Sequence, residues 1–299
     1  MMEGVSMSRM SDGSGESADL RRRLELRFGL VGLRRIVVPE DALPAADAAL
    51  LAECGVPRQV GPYFIAPDDD APTQLGAYAQ SMDAKQTSWI RIGTDRGAQL
   101  CLDTSGTVRA EFIGIDEPGL QINASLTAFL ESLLALDEGL SSLAATPSVP
   151  ERAELIRALA RRIAVADLEP METPDSWWLT VLQDIRHTMT HPGYASFEII
   201  DAQGDKQIAT SSGALCLHPE ERLWEELAES GTRPEQIKQV YTELEACFLP
   251  GHYCALWLAT TFPEARFTHS FDYGDTAEER EAGFLALLRH SAAQQQGES

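Results

Sequence analysis

Beyond residue 175 the apolar residues change period repeatedly, and the resulting order of elements, αββαβαβα, restricts the fold more than any other feature of the chain. Ser176 can cap an apolar helix that holds Trp177, Trp178, Val181, Leu182 and Ile185. Residues 196–200 and 207–210 alternate as strands around Asp201, Gly204 and Asp205, which supply hairpin turn chemistry. A helix over 219–229, a strand over 237–243, a helix over about 251–260, a strand over 266–271 and a helix over 277–289 complete the order. Strands that alternate with helices imply parallel neighbours and a sheet covered on both faces.

The upstream pattern is different. A helix over 44–53 stops at Gly55-Val56-Pro57, and short strands follow over 88–92, 98–103 and 107–113, the last two joined by Thr104-Ser105-Gly106. Asn123 or Ser125 then caps an amphipathic helix over 126–136, which makes this half an α+β unit with an antiparallel meander. Glu169-Pro170 and Thr173-Pro174 interrupt both periods, so the domain boundary is expected between 172 and 173. The division is then a tail over 1–19, which lacks apolar periodicity, a first domain over 20–172, a second over 173–292, and a tail over 293–299.

Charge narrows the partners. The chain carries 46 acidic against 24 basic residues, a net −22 that repels polyanions over most of its surface and argues against general nucleic-acid coating. The chain lacks an apolar run long enough to span a bilayer and the pattern of an export signal, so a cytoplasmic protein without a membrane partner is expected. In that setting the five cysteines are free thiols or metal ligands rather than a disulfide framework. Cys54 and Cys101 sit on apolar faces and are expected as buried small hydrophobes.

Three potential zinc ligands stand near the starts of two helices: His218 in His218-Pro219-Glu220, and Cys247 and Cys254 around Leu249-Pro250-Gly251. Proline suits the first helical position, which makes His218 an N-cap and puts Glu220 in the first turn. Consecutive parallel strands would bring both helix starts to one sheet edge, where ligands gather in open α/β folds. One nitrogen and two sulfurs make three legs of a tetrahedron, and a catalytic zinc keeps the fourth for water. Glu220 is then placed to take the water's proton and pass it to a base and to departing ammonia. A structural zinc, or unrelated core thiols, would use the same residues. Cys216 and His252 compete as ligands, Cys216 being the better candidate for a buried thiol.

Two resemblances attach to these words. Trp89-Ile90-Arg91-Ile92-Gly93, Gln99-Leu100-Cys101-Leu102-Asp103, and Asn123 through Leu130, with Gly55-Val56-Pro57 and Pro62-Tyr63-Phe64, resemble the SUKH superfamily, whose members are mostly immunity proteins that bind bacterial toxins. His218-Pro219-Glu220-Glu221-Arg222, Val240 through Cys247, Leu249-Pro250 with Cys254, and His269-Ser270-Phe271-Asp272-Tyr273 resemble the deaminases of bacterial polymorphic toxin systems, a branch of the cytidine deaminase superfamily. The resemblance implies a three-layer α/β fold with a mixed sheet, Zn2+ held by His218, Cys247 and Cys254, and Glu220 as general acid and base. Two departures stand out: Ala246 occupies the usual proline position, and six residues separate the cysteines where the core superfamily has about two.

Substrate contacts are more thinly marked. Ser211 and Ser212 precede the metal helix, Glu245 precedes Cys247 and could accept from an exocyclic amine, and His269 and Tyr273 close the last strand where they could stack on a base. The first functional expectation is a zinc-dependent deaminase of cytosine in single-stranded nucleic acid or nucleotides, with adenine as the alternative base. The others are a non-catalytic immunity or binding protein with a degenerate deaminase fold, and a toxin fused to its own neutralising module. A protein toxin is the expected partner of the first domain.

Overall fold

The computed structural model describes residues 12–79, 86–201 and 203–297. The first half runs α1 (Asp12–Phe28), β1 (Leu33–Arg34), α2 (Ala45–Glu53), β2 (Val56–Pro57), β3 (Gln59–Val60), β4 (Phe64–Ile65), α3 (Leu75–Tyr78), β5 (Ile90–Thr94), β6 (Gln99–Leu102), β7 (Val108–Glu111) and β8 (Leu120–Asn123). Strands β3 to β8 form a six-stranded antiparallel meander in chain order, as the alternation and the tight turns imply. Helices α4 (Leu126–Ala145), α5 (Val149–Ala166), α6 (Glu169–Glu172) and α7 (Trp177–Thr190) follow. Ser125 is the cap of α4, accepting from the Ala128 N–H at 3.2 Å, whereas Asn123 turns inward and accepts from the Trp178 indole at 2.9 Å.

The expected boundaries shift at three places. Helix α1 begins at Asp12, inside the stretch expected as a tail to residue 19, because Leu20 and Leu24, one turn apart, are buried in the core. Residues 1–11 of that expected tail lie outside the described residues. At the other end α10 (Ala277–Gly297) runs through the expected tail from 293, since residues 290–296 contain neither Gly nor Pro. The third shift matters most: α7 does not open the second domain. Trp177, Trp178, Val181, Leu182 and Ile185 pack into the first core with Leu100, Phe129 and Leu133. Pro170 lies in the first turn of the short α6 rather than in a linker, and after three exposed residues, 172–174, the chain re-enters the same core at Ser176 and α7.

The second half runs β9 (Tyr194–Ile200), β10 (Lys206–Ser212), α8 (Pro219–Glu229), a 3-10 turn (Pro234–Gln236), β11 (Ile237–Leu244), α9 (Cys254–Thr261), β12 (Arg266–Phe271) and α10. Asp201 builds the hairpin tip by accepting from the N–H groups of Gln203 and Asp205, each at 2.9 Å. The sheet order is β10-β9-β11-β12, in which only β11 and β12 are parallel neighbours and β9 is antiparallel to both strands beside it. Strands β10 and β11 therefore point the same way across β9, so α8 and α9 still begin at one edge. A separate core of Phe197, Leu223, Val240, Leu258 and Phe262 holds this sheet to its helices. Among the described residues, no helix is long and apolar enough to cross a membrane.

Candidate metal centre

Strand β10 delivers the chain to a tight turn in which Cys216 takes a positive φ of 54°, and His218 follows as the N-cap of α8. Pro219 fixes the first helical residue, and the Glu221 carboxylate, one turn in, accepts from the His218 N–H at 3.1 Å. On the other side Cys247 follows β11. Tyr253, left-handed at φ 46°, turns the chain so that Cys254 becomes the first residue of α9.

These turns bring His218 Nδ1 to 3.5 Å from Cys247 Sγ and 3.3 Å from Cys254 Sγ, with all three donor atoms within 4.8 Å of one another. Tetrahedral bonds of the usual zinc–nitrogen and zinc–sulfur lengths place such atoms about 3.5 Å apart. The donor set and its spacing therefore fit a zinc ion. Burial opposes charge on His218, but the Cys247 sulfur and Asp184 outweigh it and hold the ring's pKa well above its usual value. Burial alone would raise the Cys247 thiol, yet the Cys254 hydrogen bond and the His218 charge hold it well below, while burial and Cys247 push Cys254 well above. A thiol held low beside an imidazole held high is the pattern expected of a donor set whose protons a cation can replace.

Glu220 is 4% exposed, with Oε1 4.0 Å from His218 Nδ1. Burial raises its pKa against the pull of the His218 charge, which suits a carboxyl that gains and loses a proton.

An outer layer surrounds these four, and of its members the sequence singled out His252, as a competing ligand. Asp184, 1% exposed on α7, accepts through Oδ1 from His218 Nε2 at 2.9 Å and through Oδ2 from the Tyr63 hydroxyl at 2.5 Å and His252 Nε2 at 3.1 Å. Burial would raise its pKa, but His252 and His218 hold it well below the carboxylate range. His252 lies flat on His218, ring centroids 3.8 Å apart, and its Nδ1 donates to Glu221 at 2.7 Å. Burial and His218 lower its pKa, but the carboxylates of Asp184 and Glu221 prevail and raise it to about 9. Both its nitrogens are therefore committed to carboxylates. Asp184, His218 and His252 also group their donor atoms within 4.8 Å, on the Nε2 side of His218, where the hydrogen bonds already use them. Cys216 stands half-buried against the first core rather than fully buried, its thiol pushed up to about 12 mainly by burial, and it does not join the cluster.

A cavity opens beside the cluster, lined by Thr188, His218, Glu220, Thr242, Glu245 and Tyr273, with Phe284 and Leu287 of α10 closing one side. Of the residues expected to touch substrate, Glu245 and Tyr273 line it. Glu245 also accepts from the Tyr273 N–H at 3.1 Å, and the Tyr273 hydroxyl meets His187 Nδ1 at 2.8 Å. Ser211, Ser212 and His269 do not line it: the serines lie along the outer strand β10, and His269 is exposed beside Asp272, 3.0 Å away. Asp184, His187 and Thr242 were missed. A signal existed for Asp184, a charged residue on the apolar stripe of α7 between Val181 and Ile185, where burial demands strong partners.

Two family models match the chain: SUKH-4 immunity protein over residues 20–184 and Xanthomonas-like deaminase over residues 190–290. No curated protein and no solved structure matches it.

Proposed function

The chain belongs to the SUKH-4 immunity protein family and continues into a deaminase-like domain, and from that premise we propose that it is a zinc-dependent hydrolytic deaminase of cytosine in single-stranded nucleic acid or nucleotides. The observation that carries this reading is the convergence of His218, Cys247 and Cys254 with the buried Glu220 at the mouths of two helices. His218 and the two cysteines would hold the ion. When bound, zinc supplies the positive charge that makes a water molecule acidic near neutral pH. Glu220 accepts the water's proton on its carboxylate and delivers protons to the ring nitrogen and then to the amine, which leaves as ammonia. Thr242, Glu245 and Tyr273 are the polar groups available to hold the base in the cavity. The mixed sheet with α8 and α9 starting at one edge supports a three-layer cytidine-deaminase-like arrangement.

From residue 173 onward 8 basic residues face 20 acidic ones, which favours a nucleotide or a strand held mainly by its extruded base over a tracked duplex. Membership in an immunity family supports a protein toxin as partner of the first half. Asp184, His187 and Thr188 of α7, the helix packed into the first core, line one side of the cavity.

Glu220→Gln tests the reading. The nearly isosteric amide should leave zinc content and melting temperature unchanged and lower deamination about 100- to 10,000-fold. Mass spectrometry of cytosine- and adenine-containing single strands, nucleotides and nucleosides reads the product. Equal deamination by both proteins removes Glu220 from the mechanism, and none by the wild type on any substrate returns the chain to the binding class.

A further inference from the structure

Four of the six residues between the two cysteines, Phe248, Gly251, His252 and Tyr253, contact the first half of the chain. Phe248 stacks on Phe112 with centroids 5.7 Å apart, the Gly251 N–H donates to the Asp95 carbonyl at 2.8 Å, and the Tyr253 hydroxyl donates to Asp95 Oδ2 at 2.9 Å. Gly251, at φ +85°, passes so close to the loop between β3 and β4 that a Cβ there would stand 2.9 Å from the Tyr63 ring. The extended spacing between the cysteines thus carries the contacts to the first half, while Leu249 anchors it in the second core, and the metal centre abuts the first domain at Tyr63.

We propose that Tyr63 is a positioning residue for the metal centre: its hydroxyl orients Asp184, and Asp184 fixes the His218 ring with Nδ1 toward Cys247 and Cys254. The carboxylate has two oxygens and three donors. Oδ1 serves His218 alone, while Oδ2 takes Tyr63 and His252, so the pair on Oδ2 decides which way the carboxylate faces. Tyr63 is wholly buried, its ring edge-on to His252 at 5.9 Å, and the chain around it belongs to the short-stranded edge of the first sheet. A histidine with Nε2–H anchored on a buried carboxylate has its ring plane and tautomer set, which is how outer carboxylates make imidazole a better metal ligand. By this arrangement the immunity-type half supplies part of the deaminase half's metal site.

The proposal rests on the deaminase reading in taking His218, Cys247 and Cys254 as ligands, and the experiment separates the two. Full-length wild type, Tyr63→Phe, Asp184→Asn and the double variant are titrated with zinc against a chromophoric chelator, with thermal melts as controls. Tyr63→Phe keeps the ring and should bind zinc about 10- to 100-fold more weakly while melting cooperatively. Asp184→Asn should lose at least as much, and the double variant no more than Asp184→Asn alone, because Tyr63 acts through Asp184; a purely packing role would add the losses. Zinc affinity of Tyr63→Phe within twofold of wild type, additive losses, or a Tyr63→Phe chain without a cooperative melt would each overturn the proposal. A wild type that binds no stoichiometric zinc would instead overturn the metal reading beneath it.

Discussion

Ending the chain at residue 172, before α7, should abolish folding of the first half, whereas ending it at 190 should preserve it. Trp177 is 1% exposed and Trp178 fully buried, and Val181, Leu182 and Ile185 share the same core. A buried tryptophan removes some 150–250 Å² from water, worth roughly 4–6 kcal/mol at 25 cal/mol per Å², and each aliphatic side chain contributes about 1.5–3 kcal/mol. The five together come to roughly 12–20 kcal/mol, and a compact unfolded state trims this by about 10–40%. What remains is comparable with the whole stability of an ordinary domain, about 5–15 kcal/mol. The indoles also satisfy two buried acceptors, Asp95 at 2.8 Å and Asn123 at 2.9 Å, which the shorter fragment would leave in a dry interior without these donors. Urea unfolding of fragments 1–172 and 1–190, followed by circular dichroism at 222 nm, reads the difference. The longer fragment should show one cooperative transition and the shorter a featureless slope. A cooperative transition in the 1–172 fragment would falsify the assignment of α7 to the first core.

The remaining predictions concern the second half. Cys247→Ser and Cys254→Ser should each lose bound zinc in metal analysis of the purified chain, while Cys216→Ser, outside the cluster, should keep it; unchanged zinc in both former variants removes the centre as drawn. His187 is buried against Phe284, and burial lowers its pKa from 6.5 to about 4, opposed by Glu281 and aided by Arg186. The unfolded chain therefore binds this proton first as pH falls, so the stability His187 contributes is complete above about 6.5 and fades toward pH 4, by up to about 3 kcal/mol. Urea midpoints of wild type and His187→Gln across that window should converge as pH falls, and parallel curves would refute the assignment.

The parts of the molecule legible in sequence are those governed by local chemistry. Ser125 and Ser176 cap their helices because a hydroxyl one residue before an apolar stripe has few other uses, and Pro219 fixes the start of α8 wherever the chain goes next. The convergence of His218, Cys247 and Cys254 was legible for the same reason: helix starts and strand ends are local, and the fold needs only to bring two of them to one edge. Tyr63 and Asp184 were not legible together, because 121 residues separate them and no period links a hairpin loop to a helix face. The boundary failed for a related reason. Periodicity reports that α7 has an apolar face, but the identity of the core receiving that face is decided by shape, and both cores could accept indoles. The amphipathic α5, with Pro150 in its first turn, had a local signal that went unread. Strand β9 between β10 and β11 reversed the expected neighbours because a hairpin can pair on either side of itself, a choice that alternation does not encode.

Helix α7 begins among the core side chains of one half and ends at the cavity of the other, and only residues 191–193 separate it from β9. The joint between the two halves is thus three residues at the end of a buried helix rather than a long tether. Any swing of one half against the other has only the three non-helical residues 191–193 to hinge on, directly after a helix whose middle turn carries Asp184. Exchange of the deaminase half between related chains by recombination would meet the same obstacle. A crossover at the apparent sequence break near 173 would transplant both tryptophans and leave a hole behind, and one after 190 would separate Asp184 from the histidine it holds. Inheritance of the two halves as one block is the mechanical consequence.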